Sequence, residues 1–258
     1  MVTDINCDMG ESFGSFSVGQ DELLFPHISS CNIACGFHAG DPWHIDRTIQ
    51  LALASGVQVG AHPSFPDLQG FGRRPMHVAE QELRSIVRYQ VAAVKGLVES
   101  LGGKLSHVKP HGALYTQMAR DNDLSAGVLK AILSIDGNLA IVGLAGSATE
   151  EEANRMGVRF LSEAFIDRRY TSNGQLVPRN SPQAVLGRDE AVEQGKSLML
   201  GRPIKTEGEG ALHLQPSTLC IHGDHPQAVA IAQALSKFAA GLNDIAGKTV
   251  SPIPNKDG

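Results

Sequence analysis

Side chains suited to metal binding and acid–base chemistry recur in this sequence at the ends of five runs of β-forming residues. Asp8 and Glu11 follow the first run, His38 and Asp41 follow the second, and His62 ends the third. The last two runs are followed by these residues: Lys109, His111, His222 and Asp224. In a parallel β/α protein the carboxyl ends of all strands lie on one face, so groups far apart in the chain can meet in one pocket. We expect the chemistry of this protein there.

Two carboxylates, Asp8 and Glu11, lie three residues apart in a turn that contains Gly10. Both side chains can face the pocket, where they would bind a metal ion or act as a general base. The alternative is that one of them caps the element after the turn. We predict a catalytic role for both residues.

Three histidines, His38, His62 and His111, follow three different strands. A single histidine is more often a hydrogen-bonded structural residue, but three at equivalent strand ends indicate a site, and we predict catalytic roles for all three. Two of them could bind a divalent metal, with Asp8, His62 and His111 as its ligands. They could equally hold a substrate carboxylate and transfer protons. The spacing does not decide between metal binding and proton transfer, because no predicted helix carries an HExxH or HxxxH motif. We assign no role to His107 from the sequence.

Lys109 and Arg168 are predicted to bind the substrate or a phosphate group. A lysine that faces a barrel interior is costly to bury unless it is paired, so a phosphate or carboxylate ligand would explain it. The alternative for the lysine is a structural ion pair with one of these carboxylates: Asp8, Glu11 or Glu163. The guanidinium of Arg168 suits bidentate phosphate binding, with a solvated loop charge as the alternative.

Asp41 and His222 are two further predicted substrate-binding residues. Asp41 precedes Pro42, which is also the pattern of a helix N-cap with proline in the first helical position. His222 lies two residues before Asp224, and Asp224 can instead cap the helix that starts at Pro226.

The elements that would position these groups alternate between strands and helices. Strand-like runs are predicted at residues 2–7, 31–36, 57–61, 106–109, 139–143, 158–162 and 218–221. Helices are predicted from Asp41 to Gly56, over 80–101, from a Ser147 capping box to Gly157, over 189–200 and over 226–242. This alternation implies a parallel sheet with right-handed crossovers. We predict an α/β fold, a single-domain (β/α) barrel of about seven strands, with an open doubly wound sheet as the alternative.

One polar segment, residues 163–181, interrupts this alternation. Asn173-Gly174 within it predicts a hairpin turn. The segment also carries a run of charged side chains: Asp167, Arg168, Arg169 and Arg179. Long loops at the strand-end face are often lids or binding loops, and we predict that role here.

Composition limits the classes of function. The 258 residues are 42% hydrophobic, enough for one large domain over residues 1–245 followed by a loose tail over 246–258. A net charge of −5 argues against binding to nucleic acid. No apolar run approaches the roughly 18 residues of a membrane span, so no membrane partner is expected. Four cysteines do not form a disulfide framework, and a cytoplasmic location is expected.

Six motifs together resemble the LamB/YcsF family. They are DINCDMGESFG, NIACGFHAGDP, GAHPSFPD followed by GFGRR, KPHGALY, SEAFIDRRYTSNGQLVPR and IHGDHPQAV, and they span residues 4 to about 229. The resemblance implies a barrel of the glycoside hydrolase/deacetylase type. It also implies an ATP-dependent 5-oxoprolinase activity, which converts 5-oxo-L-proline to L-glutamate with formation of ADP and phosphate. The implied enzyme is an ATP-hydrolysing cyclic amidase (EC 3.5.2.9) that works with two partner subunits, B and C.

The expected cofactors follow from this chemistry. Phosphoryl transfer from ATP needs cations around the phosphoryl group, typically Mg2+ with lysine or arginine, and another divalent metal is possible. The sequence has no G-x-x-x-x-G-K-[ST] or G-x-G-x-x-G loop, so a nucleotide site here would be of an unfamiliar kind. Two alternatives stay open: a stand-alone metal-dependent deacetylase of N-acetylated sugars, and a non-catalytic subunit that binds a metabolite.

Overall fold

Seven parallel strands close into a barrel in the computed structural model, which describes residues 4–248. The barrel strands are β1 Ile5–Met9, β2 Ser30–Ala34, β3 Gln58–His62, β4 Leu105–Val108, β5 Ala140–Leu144, β6 Phe160–Phe165 and β9 Thr218–His222. They follow one another around the barrel in chain order, and β9 closes it against β1. Two short strands, β7 Ile204–Lys205 and β8 Ala211–Leu212, pair antiparallel outside the barrel.

Helices connect the strands and cover the barrel. They are α1 Asp21–Leu24, α2 Pro42–Ala54, α3 Glu80–Ser100, α4 Gly112–Met118, α5 Asn122–Leu133, α6 Ala148–Met156, α7 Arg188–Met199 and α8 Ala228–Lys248, with a 3-10 turn at Phe25–His27 after α1. None of the described helices is both long enough and apolar enough to cross a membrane.

Local sequence signals explain where several helices begin and end. The carboxylate of Asp41 accepts hydrogen bonds from the backbone N–H groups of Trp43 and His44, which caps α2. Ser147 caps α6 in the same way, and Gly157 ends that helix in a left-handed conformation with φ of 68°. These caps fix where α2 and α6 begin, directly after the loops that follow β2 and β5.

The predicted barrel is confirmed, and the alternative of an open sheet is wrong because β9 pairs with both β1 and β6. Each of the seven predicted strand ranges overlaps one barrel strand, with boundaries that differ by at most three residues. The sequence did not predict α4, α5 or the β7–β8 sheet. Helix α8 covers the first three positions of the predicted tail, residues 246–248, and the remaining residues 249–258 lie outside the described part of the chain.

Alternate positions along a strand face the barrel interior, and toward the carboxyl ends of β1, β3, β6 and β9 these positions are polar: Asp8, His62, Glu163 and His222. Register places Asp8 beside Asn32 of β2 on one side and His222 of β9 on the other. Gly60 of β3 pairs with His107 of β4, and a Cβ on that glycine would lie 2.2 Å from Nε2 of the imidazole. The glycine therefore makes the room that the histidine ring occupies inside the barrel.

Candidate active site

A cavity of about 590 Å³ opens at the carboxyl ends of the strands. Six of the predicted site residues line it: Asp8, His62, Lys109, His111, Arg168 and His222. Two more, Glu11 and His38, are buried beside His111. The structure therefore brings eight predicted residues together, and Asp41 lies elsewhere, at the start of α2.

Lys109 is the centre of a buried ion-pair network. Its side chain is 2% exposed, and Nζ lies 2.9 Å from Oδ1 of Asp8 and 2.9 Å from Oε1 of Glu163. Nζ also lies 3.3 Å from Oδ1 of Asn6 and 3.0 Å from Sγ of Cys220. Burial alone would lower the pKa of Lys109, but the neighbouring negative charges, Asp8 first among them, hold it well above its ordinary value. The lysine is therefore a permanent cation in the barrel.

Asp8 is held in its ionised form by its surroundings. Burial would raise the pKa of this carboxyl, but the charges of His62 and Lys109 hold it well below its usual range. Oδ1 accepts hydrogen bonds from Lys109 and, at 2.9 Å, from the amide of Asn32. Oδ2 lies 3.4 Å from Nε2 of His62. With Oδ1 fixed by two donors, Oδ2 is the oxygen available to a substrate or a water molecule.

Three imidazoles form a tight cluster next to Asp8. Nδ1 of His111 lies 2.9 Å from Nε2 of His62. The rings of His38 and His111 stack with centroids 3.8 Å apart, and Nε2 of His38 lies 3.3 Å from Oε1 of Glu11. Burial lowers the pKa of both His38 and His111, and the neighbouring histidines lower each of them further. Burial, together with the charge of Asp8, raises the pKa of Glu11.

A loop between β3 and α3 holds this cluster in place. Phe71 has a φ of 54°, which is unusual for a residue with a side chain, and its carbonyl oxygen accepts from Nε2 of His111 at 2.9 Å. Gly72 follows with a φ of 64°, and a Cβ there would lie 2.8 Å from Cβ of His38 and 2.9 Å from Cδ2 of His111. The unusual backbone thus serves to press the loop against the histidines.

Arginines line the mouth of the cavity. Arg73 and Arg179 both bind Oδ2 of Asp224, at 2.5 and 3.0 Å. The side chains of Arg73 and Arg179 are 34% and 28% exposed, so each can still reach a ligand. Arg168 is more buried, and its guanidinium donates to the backbone carbonyls of Val177 and Ala184. These bonds support the backbone of the surrounding loop, Arg168 also lines the cavity, and its binding of phosphate stays a prediction.

The predicted hairpin turn in that segment is present, with Gly174 donating to Thr171 and Thr171 donating to Gln175. Seven residues of this segment line the cavity: Phe165, Arg168, Leu176, Val177, Pro178, Arg179 and Asn180. The segment therefore forms one wall of the site, as predicted.

Asp41 and His222 have well-defined partners. Besides capping α2, Asp41 accepts from the backbone N–H of Gly14 at 2.7 Å, so this carboxylate supports the loop after β1. Nδ1 of His222 lies 2.8 Å from Asp167, and the His222 ring stacks on Phe165. Asp224 does not cap α8, which begins at Ala228.

Sequence reasoning missed several polar residues of the barrel interior. Asn32 donates to both Asn6 and Asp8, and its own oxygen lies 2.8 Å from Nε2 of His107. Tyr115 donates to Glu163 at 2.9 Å. His107, left unassigned from the sequence, is therefore part of the network that fixes Asp8. A usable signal existed, because Asn6 and His107 lie two positions before Asp8 and Lys109 and must face the same side of their strands.

Two groups of described residues have the chemistry and spacing to hold a metal ion. One consists of Glu11, His38, His62 and His111, and the other of Asp8, Cys220 and His222. The predicted ligand set of Asp8, His62 and His111 is divided between them. Asp8 lies near His62 but is engaged by Lys109, whereas Glu11 and His38 face the two histidines directly.

Comparison with known proteins gives consistent results. A sequence model of the LamB/YcsF family matches residues 3–251. The A subunit of 5-oxoprolinase from Geobacillus thermodenitrificans is 46% identical over 233 residues, which are 90% of this chain and 91% of that protein. The corresponding A subunit from Bordetella parapertussis is 45% identical over 244 residues, covering 94% and 96% of the two chains. The crystal structure of a lactam utilization protein from Thermus thermophilus has a TM-score of 0.87 and 40% identity, and the match covers 95% of this chain and 98% of that one.

Proposed function

The chain belongs to the LamB/YcsF family, and from that premise we propose that it is the A component of an ATP-dependent 5-oxoprolinase. The reaction converts 5-oxo-L-proline to L-glutamate, with ATP and Mg2+ as the source of the phosphoryl group and subunits B and C as partners in the cytoplasm. The observation that supports this best is the charge layout of the cavity. Arginines lie at its mouth, and an ionised aspartate with imidazoles lies at its floor.

The substrate fits this layout chemically. 5-Oxoproline is a small anion whose carboxylate can pair with Arg73 or Arg179, because arginine binds carboxylates in a bidentate geometry. Its lactam group would then point toward the floor, where Asp8 and His62 lie. The cavity volume of about 590 Å³ is within the range of small-molecule sites.

The lactam needs activation, since water attacks an unstrained amide slowly. Transfer of the ATP γ-phosphoryl group to the lactam oxygen breaks the bond to ADP and makes the ring carbon electrophilic. Water then adds to that carbon, the C–N bond breaks with the electron pair going to nitrogen, and an acyl phosphate forms. A second water attacks the acyl carbon and releases phosphate. In this scheme the phosphate carries the original lactam oxygen.

The side chains take distinct roles in these steps. Oδ2 of Asp8 accepts the proton of the attacking water, since the carboxylate stays ionised and Oδ1 is fixed by Lys109. The proton that Asp8 takes up then passes to the ring nitrogen as the C–N bond breaks, and His62 and His111 line the floor beside it. Arg179 stabilises the transferring phosphoryl group with Mg2+. Lys109 and Arg168 act mainly by holding Asp8 and the cavity wall in position.

Reconstitution with and without the partner subunits tests the proposal. We expect ATP-dependent glutamate formation only when the chain is combined with subunits B and C. With 5-oxoproline labelled by 18O at the lactam oxygen, we expect the label in phosphate. A label that stays entirely in glutamate would contradict the phosphorylation step. Glutamate formation by B and C alone would show that this chain is not catalytic.

A second candidate is a stand-alone metal-dependent deacetylase of N-acetylated sugars. The observation that favours it is the group of three histidines and Glu11, which is suited to a metal ion. Release of acetate from an N-acetylated sugar by the pure chain, without ATP, would support this candidate over the first.

A further inference from the structure

The geometry points to a binding site for one divalent transition-metal ion of the Zn2+ class on the floor of the cavity. Its ligands are Glu11, His38, His62 and His111. This inference goes beyond the proposed substrate and does not depend on it, because it follows from how these four side chains are hydrogen-bonded.

The proton positions on two of the rings are fixed by backbone carbonyls. Nδ1 of His62 lies 2.6 Å from the carbonyl oxygen of Lys109. Nε2 of His111 lies 2.9 Å from the carbonyl oxygen of Phe71. A carbonyl oxygen only accepts hydrogen bonds, so each of these nitrogens must carry a proton. When neither ring binds a further proton or an ion, the other nitrogens, Nε2 of His62 and Nδ1 of His111, carry lone pairs.

Those two lone pairs face each other. Nε2 of His62 and Nδ1 of His111 are 2.9 Å apart, a distance at which two unprotonated nitrogens repel. A positively charged species between them removes the repulsion. Either a proton or a metal ion would serve for this pair alone, so the other two side chains decide between them.

Glu11 and His38 add further electron-pair donors at the same point. Oε1 of Glu11 lies 3.3 Å from Nε2 of His38 and 3.8 Å from Nδ1 of His111. His38 is fully buried, and Nε2, the nitrogen that faces Glu11, supplies its electron pair. Glu11 is also buried, and no lysine or arginine in the described range lies within ion-pair distance of its carboxylate. A shared proton would satisfy one pair of atoms, whereas a metal ion accepts all four donors.

The spacing and the surroundings match those of a metal site. The four ligand atoms lie within 4.8 Å of one another, and tetrahedral ligands with bonds of about 2.1 Å to one ion are about 3.4 Å apart, so small side-chain shifts would close the site around an ion. Histidines that bind metals almost always donate their other ring N–H to a carbonyl or carboxylate, as His62 and His111 do here. The positive φ of Phe71 directs its carbonyl oxygen toward Nε2 of His111.

The donor set selects the class of ion. Three imidazoles and one carboxylate suit Zn2+, Co2+ or Ni2+, whereas Mg2+ prefers oxygen ligands. The site therefore differs from the Mg2+ that would accompany ATP. Because His62 and His111 line the cavity, an ion held by them is accessible to a bound substrate.

A metal titration on the full-length chain alone tests the inference. The protein is purified without a metal-affinity tag, stripped with a chelator and titrated with Zn2+ against a chromophoric chelator. We expect one equivalent to bind, and Co2+ to bind at the same site with a visible absorption band. The variants His62→Ala and His111→Ala should each weaken Zn2+ binding at least 100-fold. The matched control His213→Ala, at an exposed position, should bind as the wild type does.

Folding is checked separately, since a cluster variant could unfold. Circular dichroism on the metal-free proteins shows whether each variant is folded, and Zn2+ should raise the melting temperature of the wild type only. A wild-type chain that binds no Zn2+, Co2+ or Ni2+ at stoichiometric levels would overturn the site. Unchanged affinity in a folded His62→Ala/His111→Ala double variant would overturn it as well. Because no ATP, 5-oxoproline or partner subunit is present, these outcomes are independent of the proposed reaction.

Discussion

Replacing Lys109 with methionine tests the buried ion-pair network. Methionine keeps most of the length of the lysine side chain and removes its charge. The ammonium, 2% exposed, lies 2.9 Å from each of two buried carboxylates, Asp8 and Glu163. Removing one partner of a buried ion pair typically costs about 3–5 kcal/mol, because the remaining charge is left uncompensated. We expect Lys109→Met to lose that much of its free energy of unfolding, a large part of the roughly 5–15 kcal/mol of a typical domain.

A double-mutant cycle separates this electrostatic cost from lost packing. In the Lys109→Met background, Glu163→Gln removes one of the two stranded charges. We therefore expect the double variant to recover about 1–3 kcal/mol relative to Lys109→Met alone. The assay is urea unfolding at pH 7 followed by circular dichroism. The matched control is Lys104→Met, an exposed lysine, which should change the stability by less than about 0.5 kcal/mol.

Two results would refute the reasoning. One is a Lys109→Met protein within about 1 kcal/mol of the wild type, which would mean that the barrel does not depend on the buried cation. The other is strict additivity of the two substitutions, which would mean that Lys109 and Glu163 do not interact.

Three further predictions concern the interior, the rim and the response to pH. Gly60→Ala should cost about 1–3 kcal/mol in urea unfolding, because the new Cβ would lie 2.2 Å from the His107 ring. Arg179→Gln should raise the KM for 5-oxoproline or ATP about 10- to 100-fold in steady-state assays, and Arg188→Gln on the exposed start of α7 should not. Burial opposes ionisation of Asp224, but its two arginines lower the pKa of this carboxyl. Its contribution to stability is therefore present above about pH 4 and lost as the pH falls through the lowered pKa, so Asp224→Asn should destabilise at pH 7 and converge with the wild type once the pH is below that lowered pKa in unfolding titrations.

The strands and their functional ends could be predicted because the signals are local. A β-forming run followed by an N-cap such as Asp41 marks both a strand end and the next helix, and the alternation of such units implies the barrel. The convergence of Asp8, His62 and His111 then follows from the topology. The individual atomic contacts cannot be predicted from the topology, since they depend on how the barrel closes and on the strand register. For example, the side chain of Lys109, which follows β4, crosses the barrel interior to contact Asp8 on β1.

Loop conformation is the other part that the sequence does not reveal. The contact between Phe71 and His111 depends on a positive φ at Phe71, which is not a glycine. No pattern of residues in the sequence predicts that backbone conformation. The partners of Arg168 also depend on loop conformation. The chain folds back so that the guanidinium donates to the carbonyls of Val177 and Ala184, which the sequence does not indicate, and phosphate binding by Arg168 stays a prediction.

We propose that the cavity of this chain cleaves the lactam with Asp8 as the base. The direct test is the rate of ATP-dependent glutamate formation by the complex assembled with Asp8→Asn. Asp189→Asn, on an exposed aspartate, is the control. We predict a loss of about 100- to 10,000-fold for Asp8→Asn with the complex still assembled, and no loss for the control. A rate within about threefold of the wild type for Asp8→Asn would contradict the claim, because removal of a general base costs far more than that.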